Sequence, residues 1–238
     1  MKSMNIIVAA GPTQEPIDPV RFITNHSTGV MGYSVAEAAH KAGHKVTLVT
    51  GPTYLKRPRG VSTIEVVTAR DMYKAVKSCF KAADCVVMAA AVSDFRPAQY
   101  SAKKIKHADA ANALKLTRNP DILALLGQHK GNKVLVGFCM ETSQLIDRAR
   151  NKMDKKHADL IVANKIDAAK SAFGPGATSV CIIGPAQQMV ELKDMSKGRI
   201  ARIILEKIEH LWYKNEVNQV TYNRKPNTDN RKGVVAKW

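Results

Sequence analysis

A doubly wound α/β fold is what this chain predicts: a parallel sheet covered by helices on both faces, with a small antiparallel β extension toward the carboxyl-terminal part. Three observations lead there. Short apolar runs alternate with longer segments of helical period, the pattern of a sheet whose strands are buried on both sides. Residues that start and stop helices punctuate the intervening segments. The alternation ends after Asn164, where two further apolar runs flank Gly184-Pro185.

In chain order, "NIIVAA" (5–10), "KVTLVT" (45–50), "DCVVMAA" (84–90), "KVLVGF" (133–138) and "DLIVAN" (159–164) read as strands. Helices are expected over 31–42, 71–82, 120–129 and 143–157. Gly43 follows the first as a carboxyl-terminal cap, and Asn119-Pro120 supplies a cap and a first-turn proline for the third. "TSVCIIG" (178–184) and "QQMVEL" (187–192) predict an antiparallel pair, followed by a helix near 196–213. A Rossmann-like sheet of this kind carries its site at the carboxyl ends of the strands, near a topological switch. No internal repeat is present.

The 238 residues, 45% of them apolar, suffice for one well-buried domain. We expect it over 1–213, with a basic, flexible tail over 214–238, where aliphatic residues are few. The chain has no apolar run of about 18 residues and no signal-peptide pattern, so a soluble, cytoplasmic protein without membrane contact is expected. Cys79, Cys85, Cys139 and Cys181 form no C-x-x-C pair, and three of them lie in apolar runs, as reduced structural cysteines do. The seven histidines have no ligand spacing for a transition metal, so no zinc is expected.

Against 20 acidic residues stand 37 basic ones, a net charge of +17. Such a field attracts phosphates, on a small substrate or on nucleic acid, without choosing between them. Specific nucleic-acid recognition is disfavoured by an aromatic content of 5% and the lack of an RNA-binding motif. A nicotinamide-dependent reductase on the same scaffold is disfavoured too. The G-x-G-x-x-G turn is missing after the first strand, and the second strand ends in Thr50-Gly51 without an acid for a ribose diol.

Four loops carry the polar chemistry. "GPTQEPIDPVRFITNHSTGVMG" (11–32) replaces the usual short turn and brings Arg21, Asn25, His26, Ser27 and Thr28 just before a helix start, where backbone amides favour an anion. A stiff loop before a capped helix would read the same way. "AAAVSDFRPAQYSAKKIKH" (89–107) has small residues at a strand end, Asp94 to accept hydrogen bonds or hold hydrated magnesium, and lysines that either meet phosphates or are simply solvated. "NPDIL" (119–123) follows, then "GFCMET" (137–142) leading to Lys152 and Lys156, which share a helix face and either address one polyphosphate or form a solvated basic end.

Together, "AGPTQEPIDPVRFITNHSTGVMG", "AAAVSDFRP", "KIK", "NPDIL", "GFCMET" and "ANKI" resemble phosphopantothenoylcysteine synthetase, in order and spacing, over about residues 4–210. Many relatives carry this domain behind a flavin-dependent decarboxylase. Here the motif begins at residue 10, which is the pattern of the stand-alone form.

The resemblance implies a ligase of coenzyme A biosynthesis. The carboxylate of 4′-phosphopantothenate attacks the α-phosphate of CTP, or of ATP in the eukaryotic version, and the amine of cysteine then displaces the nucleoside monophosphate. Mg2+ accompanies the nucleotide; no flavin, NAD or zinc is implied. By resemblance, Asn25 and Lys104 are catalytic, and Arg21, Asn25, Ala90 and Ala91 hold the acid and its acyl-nucleotide. Gly11, Met88, Ala89, Ala90, Asp94, Lys104, Pro120, Asp121, Ile122, Leu123, Phe138, Lys152 and Lys156 line the nucleotide site.

A polar lid over about 101–116 and a homodimer joined through 164–195 are also expected. Three departures stand out: Val30 where many relatives have lysine, Cys139-Met140 in place of two alanines, and "FGPGATSV" in place of an acidic-asparagine motif. The bulk of Met140 is expected to bear on nucleotide preference.

Overall fold

The computed structural model describes residues 2–106, 113–141, 143–165 and 176–223. Its centre is an eight-stranded sheet. The parallel strands are β1 (Asn5–Ala10), β4 (Lys45–Thr50), β5 (Ser62–Glu65), β6 (Cys85–Met88), β9 (Val134–Glu141) and β10 (Leu160–Lys165); β11 (Thr178–Ile183) and β12 (Met189–Met195) run antiparallel at one edge. The order is β12-β11-β10-β9-β6-β1-β4-β5. The chain therefore builds outward from β1 in one direction, returns, and builds from β6 in the other, so the switch point lies between β1 and β6.

Both faces of the central strands β1, β4, β6, β9 and β10 are largely apolar because helices cover both. Along β1, Ile6, Val8 and Ala10 face one core cluster, while Ile7 and Ala9 face the other. The first is closed by α1 (Val30–Lys41) and α5 (Lys197–Asn223), the second by α2 (Ala69–Phe80), α3 (Ile122–Gln128) and α4 (Leu145–Lys155). Ile200, Ile204 and Ile208 recur every fourth residue and form the buried stripe of α5. Burying a side chain of this size contributes about 1.5–3 kcal/mol. Thr68 and Asp71 form a reciprocal capping box at the start of α2.

The expected strands and helices are present, with boundaries moved by a few residues. Four features were not expected. β5 is an edge strand of mixed polarity, and β2 (Gln14–Pro16) with β3 (Phe22–Thr24), and β7 (Phe95–Pro97) with β8 (Leu116–Arg118), form two small antiparallel pairs. α5 continues to Asn223, past the expected tail boundary at 214; residues 224–238 lie outside the described part. The cap of α3 is Asp121, whose carboxylate accepts the Ala124 amide at 3.0 Å, and not Asn119, which turns to the Ser93 carbonyl at 2.9 Å. Cys85, Cys139 and Cys181 are buried, and burial pushes each thiol above its ordinary value.

Candidate active site

The loops leaving β1 and β6 remain paired beyond the sheet. The Ala91 amide donates to the Gly11 carbonyl at 2.9 Å, and the Thr13 amide donates to Ala91 at 3.2 Å. Thr13 is buried; its hydroxyl accepts the Ser93 amide at 3.0 Å, and its carbonyl accepts the Thr24 hydroxyl at 2.7 Å. The two chains that bound the switch point are thereby held as one unit. Gly11 makes this possible with a left-handed φ of 73°, a conformation that a side chain disfavours.

Two buried acids hold the long loop over 11–29. Glu15 accepts the Ala69 amide at the start of α2 at 2.8 Å. Asp18 accepts the amides of Val20 and Arg21, both at 2.9 Å, the Arg21 guanidinium, and the Ile105 amide at 3.2 Å. Arg21 also donates to the Ile105 carbonyl at 2.9 Å, so this acid couples the loop to the start of the expected lid. The Arg21 guanidinium and these amides hold the Asp18 carboxyl far below the usual carboxylate range, against burial, which acts to raise it.

A depressed carboxyl stabilises the fold fully above the unfolded value of about 3.9 and loses that contribution as pH falls toward the folded value. Asp18→Asn is therefore expected to destabilise the protein at pH 7 and to differ less from the wild type at pH 3. Urea titrations at both values check this; an equal gap at the two would reject the ionic anchor.

Two cavities open beside the switch. The first, of about 510 Å³, is lined by the turn into α1, by Asn25, Ala89, Ala90 and Ala91, and by Asn164, Thr178 and Lys197. The second, of about 820 Å³, is lined by Met88, Ala90, Asp94, Pro120, Asp121, Ile122, Leu123, Phe138, Lys152 and Lys156, together with Arg118, Asn119 and Arg148. Ala90, Val92, Asp94, Phe138 and Lys152 belong to both and form a shared wall.

Asn25 reaches this wall, its amide donating to the Val92 carbonyl at 3.1 Å. Lys152 donates to the Phe138 carbonyl at 2.7 Å, and Lys156 pairs with Asp121. Burial acts to raise the Asp121 carboxyl, but Lys156 and the Ala124 amide hold it below its ordinary value.

The chain also matches a known sequence profile. Residues 1–211 match that of the DNA/pantothenate metabolism flavoprotein C-terminal domain. This protein belongs to that family. Among relatives of this C-terminal domain, the coenzyme A biosynthesis bifunctional protein CoaBC of Bacillus subtilis is 42% identical over 212 residues, which cover 89% of this chain and 52% of that protein. The chain thus spans about half the length of the curated relatives it matches. A crystal structure of the C-terminal domain of a CoaBC protein superposes with a TM-score of 0.77 at 36% identity, covering 90% of this chain and 98% of that one. The DNA/pantothenate metabolism flavoprotein from Streptococcus pneumoniae superposes with a TM-score of 0.75 at 29% identity, covering 87% and 99%.

Within this flavoprotein C-terminal domain, the sequence-predicted site residues fall into three groups. Ten line the second cavity. Asn25, Ala89 and Ala91 line only the first. Gly11, Arg21 and Lys104 line neither: Gly11 supports Ala91, Arg21 sits on Asp18, and Lys104 is exposed in the segment tied down at Ile105.

Met140, expected to bear on the nucleotide, lines the first cavity and not the second. Residues 107–112 of the expected lid, Thr142, and 166–175 of the expected dimer contact lie outside the described residues. Sequence reasoning missed Glu15, Asp18, Asn164, Thr178 and Lys197. The acids are flanked by prolines in "EPIDP", a visible sign of a fixed loop, whereas nothing local distinguishes Lys197 from a surface lysine.

Proposed function

We propose that the protein is a phosphopantothenate–cysteine ligase that activates 4′-phosphopantothenate with CTP and then forms the amide with cysteine. One observation carries this reading: two cavities of about 510 and 820 Å³ meet at one wall, formed by Ala90, Val92, Asp94, Phe138 and Lys152. An acid in the first and a nucleoside triphosphate in the second come together only there.

The second cavity suits the nucleotide. Lys152 and Lys156 reach it from the end of α4, and a triphosphate would take Lys156 from Asp121, exchanging one anionic partner for another. Ala90 and Val92 leave space for the carboxylate to approach the α-phosphate, and Asn25 stands where the acyl-phosphate would lie. No nucleophilic side chain is needed. Holding the reactants in line and offsetting their negative charge supplies the rate. Cysteine attacks from the first cavity, releasing CMP.

Magnesium fits as an ion carried by the nucleotide. Asp94 offers an oxygen in the shared wall, and among the described residues no three ligating side chains gather to hold a metal by themselves. The ion would neutralise phosphate charge. A homodimer joined through 164–195 belongs to the proposal, and within that stretch exposed Met189 on β12 offers it apolar surface.

The deciding measurement is pyrophosphate release from CTP and from ATP in the presence of phosphopantothenate and magnesium, followed by amide formation on adding cysteine. We expect release with CTP that depends on the acid. Faster release with ATP would reassign the nucleotide, and release with neither would reject the ligase.

A further inference from the structure

We propose that the Ser93 hydroxyl donates a hydrogen bond to a non-bridging oxygen of the nucleotide's α-phosphate, and so is a catalytic donor for pyrophosphate release. The assignment rests on the ligase reading and deepens it.

Ser93 is only 3% exposed, and its hydroxyl has no hydrogen-bond partner among the described residues. Buried hydroxyls are nearly always hydrogen-bonded, because leaving water without a new partner costs free energy. A ligand acceptor would offset that cost. The backbone around Ser93 is held on both sides: its amide donates to the Thr13 hydroxyl at 3.0 Å, and its carbonyl accepts the Asn119 side-chain amide at 2.9 Å. Arg96 fixes Asn119 in turn, at 3.1 Å. The hydroxyl thus sits on a fixed frame, and rotation about χ1 is the freedom left to it for meeting a ligand.

Location chooses the ligand. Ser93 lines the second cavity and not the first, whereas its neighbours Val92 and Asp94 line both. It therefore stands on the nucleotide side of the wall at which the carboxylate of the acid would arrive. The group attacked there is the α-phosphate. Attack adds negative charge to the phosphoryl oxygens, and a donor already aligned at that point stabilises the charge as it develops. Asp94, next in the chain, accepts hydrogen bonds when ionised and donates none, and Lys152 in the same wall already donates to the Phe138 carbonyl at 2.7 Å. A neutral hydroxyl supplies a short, directional donor between them.

Ser93→Ala removes only the oxygen. Its thermal midpoint should equal or exceed that of the wild type, because an unpartnered polar atom is lost, while single-turnover pyrophosphate release from CTP should slow about 10- to 100-fold, the range for a bond to a charged group. Sulfur in place of an α-phosphate oxygen identifies the atom. One diastereomer of CTPαS should slow the wild type, and that penalty should shrink in Ser93→Ala, where the bond it weakens is already gone. A wild-type rate, a lowered midpoint, or equal thio penalties in the two proteins overturns the proposal.

The ligase reading fails separately. Should the wild type release no pyrophosphate, that reading falls, and calorimetric titration with α,β-methylene CTP and magnesium decides for Ser93. A Kd raised about 10-fold in Ser93→Ala supports the hydroxyl as the phosphate donor, and an unchanged Kd rejects it. Coupling by the wild type with an unimpaired Ser93→Ala would sink this assignment alone.

Discussion

Lys104→Gln is expected to slow acyl-nucleotide formation by about 10²- to 10³-fold, roughly 2.7–4 kcal/mol of lost transition-state stabilisation, the usual loss when one donor to developing negative charge is removed. Stability should stay within about 0.5 kcal/mol of the wild type, because Lys104 is exposed and its side chain is not part of the core.

The placement of Lys104 sharpens the expectation. It lines neither cavity, yet the next residue is fixed by the Asp18 carboxylate, which accepts the Ile105 amide at 3.2 Å, and by Arg21. The segment is thus anchored at the loop that carries Asn25, and an inward movement about this anchor would bring the ammonium to the phosphates when nucleotide binds. The effect should therefore appear in the chemical step and less in nucleotide affinity. Rapid-quench measurement of pyrophosphate in a single turnover checks it, and a wild-type burst rate would remove Lys104 from the catalytic set.

Gly51→Ala should cost about 2–3 kcal/mol, the upper part of the range for overpacking a closed site, which is roughly 4–12 °C in melting temperature for a chain of this size. A Cβ at position 51 would lie 1.7 Å from the Pro12 carbonyl oxygen and 2.8 Å from its carbon. Both are backbone atoms, so no side-chain rotation relieves the clash. The loop after β1 must move, and Gly11, Pro12 and Thr13 are the residues that pair with Ala91 and Ser93. Activity should fall with stability, since Asn25 rests on the Ala91 and Val92 carbonyls. A lower denaturation midpoint at unchanged m-value is the expected readout; a wild-type midpoint would mean that position 51 does not press on the Pro12 carbonyl.

Much of this architecture was legible in the residues because its cause is local. A strand buried on both faces must be a short continuous apolar run, and a helix covering it must repeat every three to four residues, so β1, β4, β6, β9 and β10 and their helices could be drawn from pattern alone. The same alternation pointed to the strand ends as the place of a candidate site, and the stretches around Met88, Pro120 to Leu123, Phe138, Lys152 and Lys156 line one cavity there. β5 and the two small strand pairs escaped notice. β7 and β8 have three residues each and are separated by a long segment, so their pairing depends on contacts with no sequence period.

What the chain alone determined is therefore the set of buried elements and the end of the sheet at which charge gathers. Tertiary structure decided which charges have a place inside: Asp18 and Glu15 turn inward, Lys104 stays on the surface, and Lys197 is buried between α1 and the edge strands. The reason is that periodicity is written in neighbouring residues, whereas the surroundings of one lysine are set by side chains far away in sequence, and only folding brings those together.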